Sequence, residues 1–346
     1  MFDIKLLDCT LRDGGFINDW QFGHENIAGI AQGLATAGVD IIEVGFLDGR
    51  RTFDKDRSIM PDTDSAAKIY GKLKKSGAML VGMIDYGTCP LQNISPCEKS
   101  PLDGIRVIFK KHLRAPALAF CAALKRLGYL VFVQPVSITD YSDAEIKELA
   151  LLANEIQPFS VSLVDTYGLL HGKELLRYFE LLHRTLSKTI RLGFHGHNNF
   201  QMAYANCVSM IDAATAVGRP LLLDGSLCGM GKSAGNAPLE LLAHHLSHYT
   251  GASYRMEVLL AVIKKHICPL LGAPPWGYSI RYFLCAACTC HPSYVMFLEN
   301  LGLSLSAIYT LLCNIDPPKR LNFDKAHIEA LYEKYQKEAD YAALPL

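Results

Sequence analysis

Eight short apolar, β-prone runs recur along this chain, at residues 4–10, 41–47, 79–85, 104–110, 129–139, 159–166, 190–197 and 221–227. Between them lie stretches whose apolar residues fall three and four apart, the spacing of a helix face. Examples are HENIAGIAQGLATAG (24–38), SDAEIKELALLANEI (142–156) and FQMAYANCVSMIDAATAVG (200–218). Ser142 and Asp143, ahead of Ile146, carry a helix-start signal. Strand–helix alternation repeated eight times argues for parallel strands joined by crossover helices. Eight such units over about 250 residues match an α/β closed barrel, the (β/α)8 TIM barrel. An open doubly wound sheet would favour a Gly-rich dinucleotide turn after its first strand. The turn here is RDGGF (12–16), which lacks that fingerprint.

The alternation stops near residue 250. MEVLLAVIKKHICPLLG (256–272) reads as helical, APPWGYS (273–279) as a Pro-rich break, and the remainder as further helices. The expected organisation is a barrel over residues 1–250 and a C-terminal helical region over 251–346.

Lys plus Arg equals Asp plus Glu at 34 each, which excludes a global basic footprint for nucleic acid. The basic run KKHLR (110–114) reads as a solvated face. No run reaches the roughly 18 apolar residues of a membrane span. The N-terminus lacks a basic segment followed by an apolar one, so no signal peptide is expected. Eleven cysteines without secretory signals point to reduced thiols and a cytoplasmic location. CAACTCH (285–291) gathers Cys285, Cys288, Cys290 and His291. No second Cys pair at finger-like spacing accompanies it, and its small neighbours read as helix packing.

In such a barrel the C-terminal strand ends form the active face. Arg12 and Asp13 close the first run, Glu43 lies in the second, Asp165 ends the sixth, and His195 and His197 end the seventh. The Gly-rich stretch CGMGKSAGNAPLE (228–240) follows the eighth. Two residues apart on a strand, His195 and His197 share a face, here towards the barrel axis. H-x-H alone also fits one core and one exposed histidine. Asp13 at the same end changes the balance, because one carboxylate with two imidazoles leaves positions open for water and substrate. That set suits Mn2+, Mg2+, Fe2+ or Zn2+ in a catalytic site. GMGKS resembles the end of a phosphate-binding loop, but Ser226 stands where that motif needs glycine. Backbone amides of the loop, at Gly229, Gly231 and Lys232, suit a substrate carboxylate instead.

In this order, LDCTLRDGG (7–15), IEVGF (42–46), LVDTYG (163–168), FHGHNN (194–199) and GMGKSAGNAPLE (229–240) resemble the metal-dependent aldolase and lyase superfamily on a TIM barrel. Its members include 4-hydroxy-2-oxovalerate aldolases, 3-hydroxy-3-methylglutaryl-CoA lyases, isopropylmalate synthases and the carboxyltransferase domain of pyruvate carboxylase. The likeness is greatest to the hydroxy-oxovalerate aldolase branch. It implies Asp13, His195, His197 and Asn236 at the metal, with Mn2+ or Mg2+ foremost. It implies Arg12 as the enolate-stabilising arginine, Glu43 and Asp165 as acidic residues lining the site, and Tyr294 as the aldolase tyrosine.

The resemblance implies cleavage of a 4-hydroxy-2-oxo acid to pyruvate, or a similar 2-oxo acid, and an aldehyde. It further implies a homo-oligomer and an aldehyde dehydrogenase partner. A departure lies in GGFINDW (14–20): the aldolase branch carries a basic histidine a few residues after its Arg-Asp pair, and none stands here before His24. His291, three residues before Tyr294, is one candidate substitute, with Tyr294 and a metal-bound water as the others. Two other readings are an acyl-CoA lyase or condensing enzyme, against which HGHNN replaces the usual HGHND, and a barrel that serves only for binding or assembly.

Overall fold

The computed structural model describes residues 3–271 and 276–342. All eight runs form parallel strands: β1 (Ile4–Asp8), β2 (Ile41–Leu47), β3 (Met79–Asp85), β4 (Gly104–Phe109), β5 (Leu130–Pro135), β6 (Ser160–Asp165), β7 (Arg191–Gly196) and β8 (Leu221–Gly225). Each pairs with its sequence neighbour, and β1 pairs with both β2 and β8, so the sheet closes on itself. A two-residue strand, Ile59–Met60, lies beside the end of β2 and is too short to leave a pattern in the sequence.

Seven crossovers or closing segments are helical: α1 (His24–Ala37), α2 (Thr63–Tyr70), α3 (Arg114–Arg126), α4 (Asp143–Ile156), α5 (Gly172–Thr185), α6 (Ala203–Val217) and α7 (Leu239–Tyr249). The eightfold helix alternation fails once. Between β3 and β4 the chain makes only two three-residue turns, Leu91–Asn93 and Cys97–Lys99. Pro90, Pro96 and Pro101 fall in this segment, and proline denies a helix its N–H donors. At α4 the start signal works as a capping box: Ser142 Oγ accepts from Glu145 N, and the Glu145 carboxylate accepts from Ser142 N.

Strand side chains alternate between the barrel interior and the helix layer. The interior climbs from an apolar floor that includes Leu7, Ile41, Val81, Phe132 and Leu222. Two residues further along their strands come Glu43, Gln134 and Asp224, joined by Arg106 and His195, all buried. This polar belt lies directly under the active face.

Beyond α7, α8 (Met256–Val262) packs on α1. The approach is close: a Cβ at Gly33 would stand 2.2 Å from the Val262 side chain, and one at Gly29 would stand 2.5 Å from the His266 ring. Residues 273–275 of the Pro-rich break lie outside the described residues, and Trp276 to Ser279 are non-helical. Four helices follow: α9 (Ile280–Ala287), α10 (Pro292–Asn300), α11 (Leu305–Cys313) and α12 (Lys325–Ala342). They share a separate core built on Leu284, Val295, Leu298, Ile308, Leu311 and Ile328. Cys285, Cys288 and Cys290 pack into that core as free thiols. No helix among the described residues is long and apolar enough to cross a membrane.

Tyr294 ties this second core together. Its hydroxyl lies 2.9 and 3.0 Å from the carbonyl oxygens of Lys319 and Asn322, and accepts from the N–H of Asp324 at 2.8 Å. Removing it takes the shared partner from three part-buried backbone groups. Tyr294→Phe is expected to destabilise the protein by about 1–3 kcal/mol, read from the midpoint of urea denaturation. An unchanged midpoint would refute this anchoring role.

Candidate metal centre and catalytic cavity

β1 stops at Asp8, short of the Arg-Asp pair, which corrects the reading of Arg12 and Asp13 as strand-end residues. The Asp8 carboxylate accepts from Thr10 N at 3.0 Å and Thr10 Oγ1 at 2.7 Å, which turns the chain. Burial pushes the Asp8 carboxyl up to about 7 despite these bonds. A helical turn, Thr10–Asp13, then delivers Arg12 and Asp13 to the barrel mouth. The two glycines after it serve close approach. Gly14 has ordinary helical angles, and a Cβ at Gly15 would fall 2.0 Å from the Trp20 ring. Trp20 Nε1 in turn donates to the Arg12 carbonyl at 2.8 Å.

Arg12 opens a chain of buried charges. Its Nε donates to Glu43 Oε2 at 2.7 Å, and its Nη1 donates to Asp13 Oδ1. The other Glu43 oxygen stands 3.1 Å from Arg106 Nη1. Arg106 Nη2 donates to Asp224 Oδ2, which lies 3.0 Å from His195 Nδ1. Burial disfavours the charges of Arg12, Asp13, Arg106 and Asp224, but their partners outweigh it. Burial would raise the Asp13 carboxyl, yet Arg12 and the hydrogen bond from Asn236 hold it well below the usual carboxylate range. Asp224 is likewise lowered against its burial by Arg106 and His195. Arg12 and Arg106 are held more firmly protonated than usual by their carboxylates.

His195 and His197 project inward from β7 and the residue after it, with ring centroids 5.1 Å apart. The hydrogen bond to Asp224 occupies His195 Nδ1. His197 Nδ1 lies 3.0 Å from the Lys232 carbonyl, so it carries the proton. Both Nε2 lone pairs are thereby left for a cation. Burial lowers His197 to about 4, which keeps it neutral. Asp13, His195 and His197 offer ligand atoms that all lie within 4.8 Å of one another, the one such trio among the described residues.

The residues around this trio fit a cation. Asn236 Nδ2 donates to Asp13 Oδ2 at 2.8 Å, while Asn236 Oδ1 is buried without any hydrogen-bond partner. A free amide oxygen beside a carboxylate and two imidazoles completes a hard, oxygen-and-nitrogen donor set. Gly231 leaves the room: a Cβ there would stand 2.5 Å from Asp13 Oδ2.

A cavity of about 120 Å3 opens above the trio. Arg12, Asp13, His195, His197 and Lys232 form its polar end. Phe16, Phe46, Met83, Ile108, Val136 and Val164 form an apolar wall, with Gln134 and Thr166 between. Lys232 Nζ sits 5.4 Å from the centre of the Phe16 ring, and burial lowers its pKa.

The structure thus gathers Arg12, Asp13, His195, His197, Asn236 and Lys232. The other anticipated residues stand outside the cavity lining. Glu43 lies behind Arg12 and fixes it. Asp165 spends both oxygens on the N–H groups of Leu169 and Leu170, at 2.8 and 2.9 Å, and so shapes the loop after β6. Gly229 turns the glycine loop with φ of 63°. His291 caps α10, with Nδ1 accepting from Ser293 N at 3.2 Å. Burial and the charges of Lys232 and Lys110 lower it to about 4. Tyr294 is engaged in the C-terminal core. Arg106 and Asp224 were not anticipated, yet GIRVIFK and LLLDGSL each place one charge within an apolar strand. A buried charge in that position calls for a partner, and each is the other's.

The closed barrel and the inward trio define a TIM barrel with a candidate metal site at its active face. The HMGL-like family profile matches residues 108–262. A 4-hydroxy-2-oxovalerate aldolase from Pelotomaculum thermopropionicum is 30% identical over 267 residues, covering 74% of this chain and 73% of its own. Among solved structures, the N-terminal domain of a Bacteroides vulgatus protein provisionally classed as an aldolase superposes with a TM-score of 0.72 at 23% identity, covering 88% of this chain and 99% of that one. The HMG-CoA lyase of Bacillus subtilis superposes with a TM-score of 0.61 at 18% identity, over 78% and 93% of the two chains. The chain belongs to the HMGL-like family of aldolases and lyases.

Arg106→Met removes the cation shared by Glu43 and Asp224 and leaves two buried carboxylates short of a partner. A loss of about 3–5 kcal/mol in stability is expected, measured by chemical denaturation. Wild-type stability would show that the charge chain does not hold the barrel.

Proposed function

We propose that this chain is a divalent-metal-dependent aldolase, cleaving a 4-hydroxy-2-oxo acid to pyruvate or a similar 2-oxo acid and an aldehyde. The observation that carries the reading is the Asp13, His195 and His197 trio beside the Arg12 guanidinium in one cavity. Mn2+ or Mg2+ bound by that trio and Asn236 would supply Lewis-acid polarisation of the 2-oxo group, and the donors also suit Zn2+ or Fe2+.

Arg12 is locked by Glu43 and Asp13, so its charge is in place before negative charge develops on the keto oxygen. Losing such a preorganised donor costs about 2.7–4 kcal/mol in barrier. The Lys232 ammonium at the polar end suits the substrate carboxylate. The apolar wall excludes water from the bond being broken and takes up the carbon chain of the aldehyde.

A base must accept the 4-hydroxyl proton as the carbon–carbon bond breaks. His291 is the candidate. It is neutral, with Nδ1 accepting from Ser293 N and the ring proton therefore on Nε2, so it acts as a base only when the Ser293 bond opens and frees Nδ1. Because it lies outside the cavity lining, the proton would reach it across water or by a small movement of the C-terminal helices. The Tyr294 hydroxyl is already fully bonded. An acyl-CoA reaction that uses a loop thiolate is less suited, since burial pushes the Cys228 thiol up to about 11. The cytoplasmic location, the homo-oligomer and a dehydrogenase consuming the aldehyde belong to this same proposal.

With Mn2+ or Mg2+ present, a panel of 4-hydroxy-2-oxo acids should yield pyruvate, and chelator or Asp13→Ala should abolish release. Full turnover in chelator would exclude the metal role, and no release from any member would exclude the aldolase. His291→Ala should lower kcat about 10²–10⁴-fold. A near-normal rate would place the base elsewhere.

A further inference from the structure

The catalytic cavity of about 120 Å3 is smaller than the ~300–1,000 Å3 of usual small-molecule sites. A second space of about 460 Å3 adjoins it, lined by Phe16, Ile17, Trp276, Tyr278, Tyr282 and the Arg281–Glu299 pair. Phe16 lines both. Its ring is 42% exposed, meets Trp20 and Phe46 edge-on at 4.9 and 6.1 Å, and carries Lys232 Nζ over one face. It rides on a four-residue helix, Gly15–Asn18, that ends in two left-handed residues, Asp19 and Trp20. One side chain therefore separates the reacting centre from an aromatic groove.

The groove has a definite chemistry. Trp276 is fixed by its Nε1 bond to the Cys228 carbonyl at 3.0 Å. Arg281 is already paired with Glu299 at 2.7–2.8 Å. Among its described lining residues there is no unpaired cation, so a carboxylate or phosphate on the ligand would gain no ion-pair partner there. Flat apolar groups, by contrast, find four aromatic side chains. The inner wall beyond the metal trio is apolar as well, so the same preference runs from the cavity to the groove.

We infer that the groove holds the distal part of the substrate. The aldehyde fragment carries an uncharged aromatic or extended aliphatic group, which passes Phe16 and lies against Trp276 and Tyr282. This rests on the aldolase reading for the head of the molecule and extends it to the tail. Phe16 acts as the specificity-determining residue at the junction.

The test is binding of two 2-oxo acids that lack the 4-hydroxyl and cannot be cleaved, 2-oxo-6-phenylhexanoate and 2-oxopentanoate, followed by calorimetry on the Mn2+-loaded full chain. The phenyl-tailed acid should bind at least about tenfold tighter. Trp276→Ala and Tyr282→Ala should each shrink that ratio severalfold, and Trp276→Phe should keep most of it. Tyr282 makes no bond to the glycine loop, so its variant guards against disturbance there. Equal affinities in the wild type, or a ratio untouched by both alanine variants, overturns the inference. Failure of the aldolase reading shows separately, as a tail preference without pyruvate release from any 4-hydroxy-2-oxo acid.

Discussion

Arg106 is a full positive charge sealed inside the barrel, and the active end depends on how it is balanced. It stands between Glu43 of β2 and Asp224 of β8. Glu43 passes the constraint to Arg12, and Asp224 passes it to His195. A buried charge deprived of its partner is strongly destabilising, so none of these residues can drift without cost. The same contacts that balance the Arg106 charge orient one metal-facing imidazole and one guanidinium. Folding and preorganisation of the site are therefore one problem with one solution.

Around that chain the fold supplies direction. Alternation along each strand stacks apolar residues at the floor and polar ones above, with the trio and its cavity at the mouth. The glycine loop approaches from β8 and closes the site from the other side. Lys232 N and Asn236 Nδ2 both donate to Asp13 Oδ2, at 3.2 and 2.8 Å. Asp13 thus receives donors from two distant parts of the chain and keeps its charge, while Asn236 Oδ1 is left facing inward without a partner.

The strands were legible because parallel barrel strands are buried on both faces and read as continuous apolar runs. The trio was legible because H-x-H on a strand fixes both rings to one face. What escaped the sequence depends on side chains meeting across the fold. The turn at residues 10–13 is set by the Asp8 carboxylate, which reads as an ordinary strand residue. Glu43 and Asp165 are acidic residues near the mouth, but only their partners show that one holds Arg12 and the other holds backbone. Tyr294 has the sequence setting of a catalytic tyrosine, and the carbonyls that occupy it come from residues 25 and 28 positions further on. The missing crossover helix was foreshadowed by three prolines, whose effect the regular alternation masked.

The central claim is that the buried charge chain presents Asp13, His195 and His197 as a single cation site. Anomalous diffraction from a crystal soaked in Mn2+ tests it directly. The account predicts one strong peak bonded to an Asp13 oxygen and to Nε2 of both histidines, with Asn236 Oδ1 turned towards it. A peak bound elsewhere, or no peak with the trio intact, would contradict it.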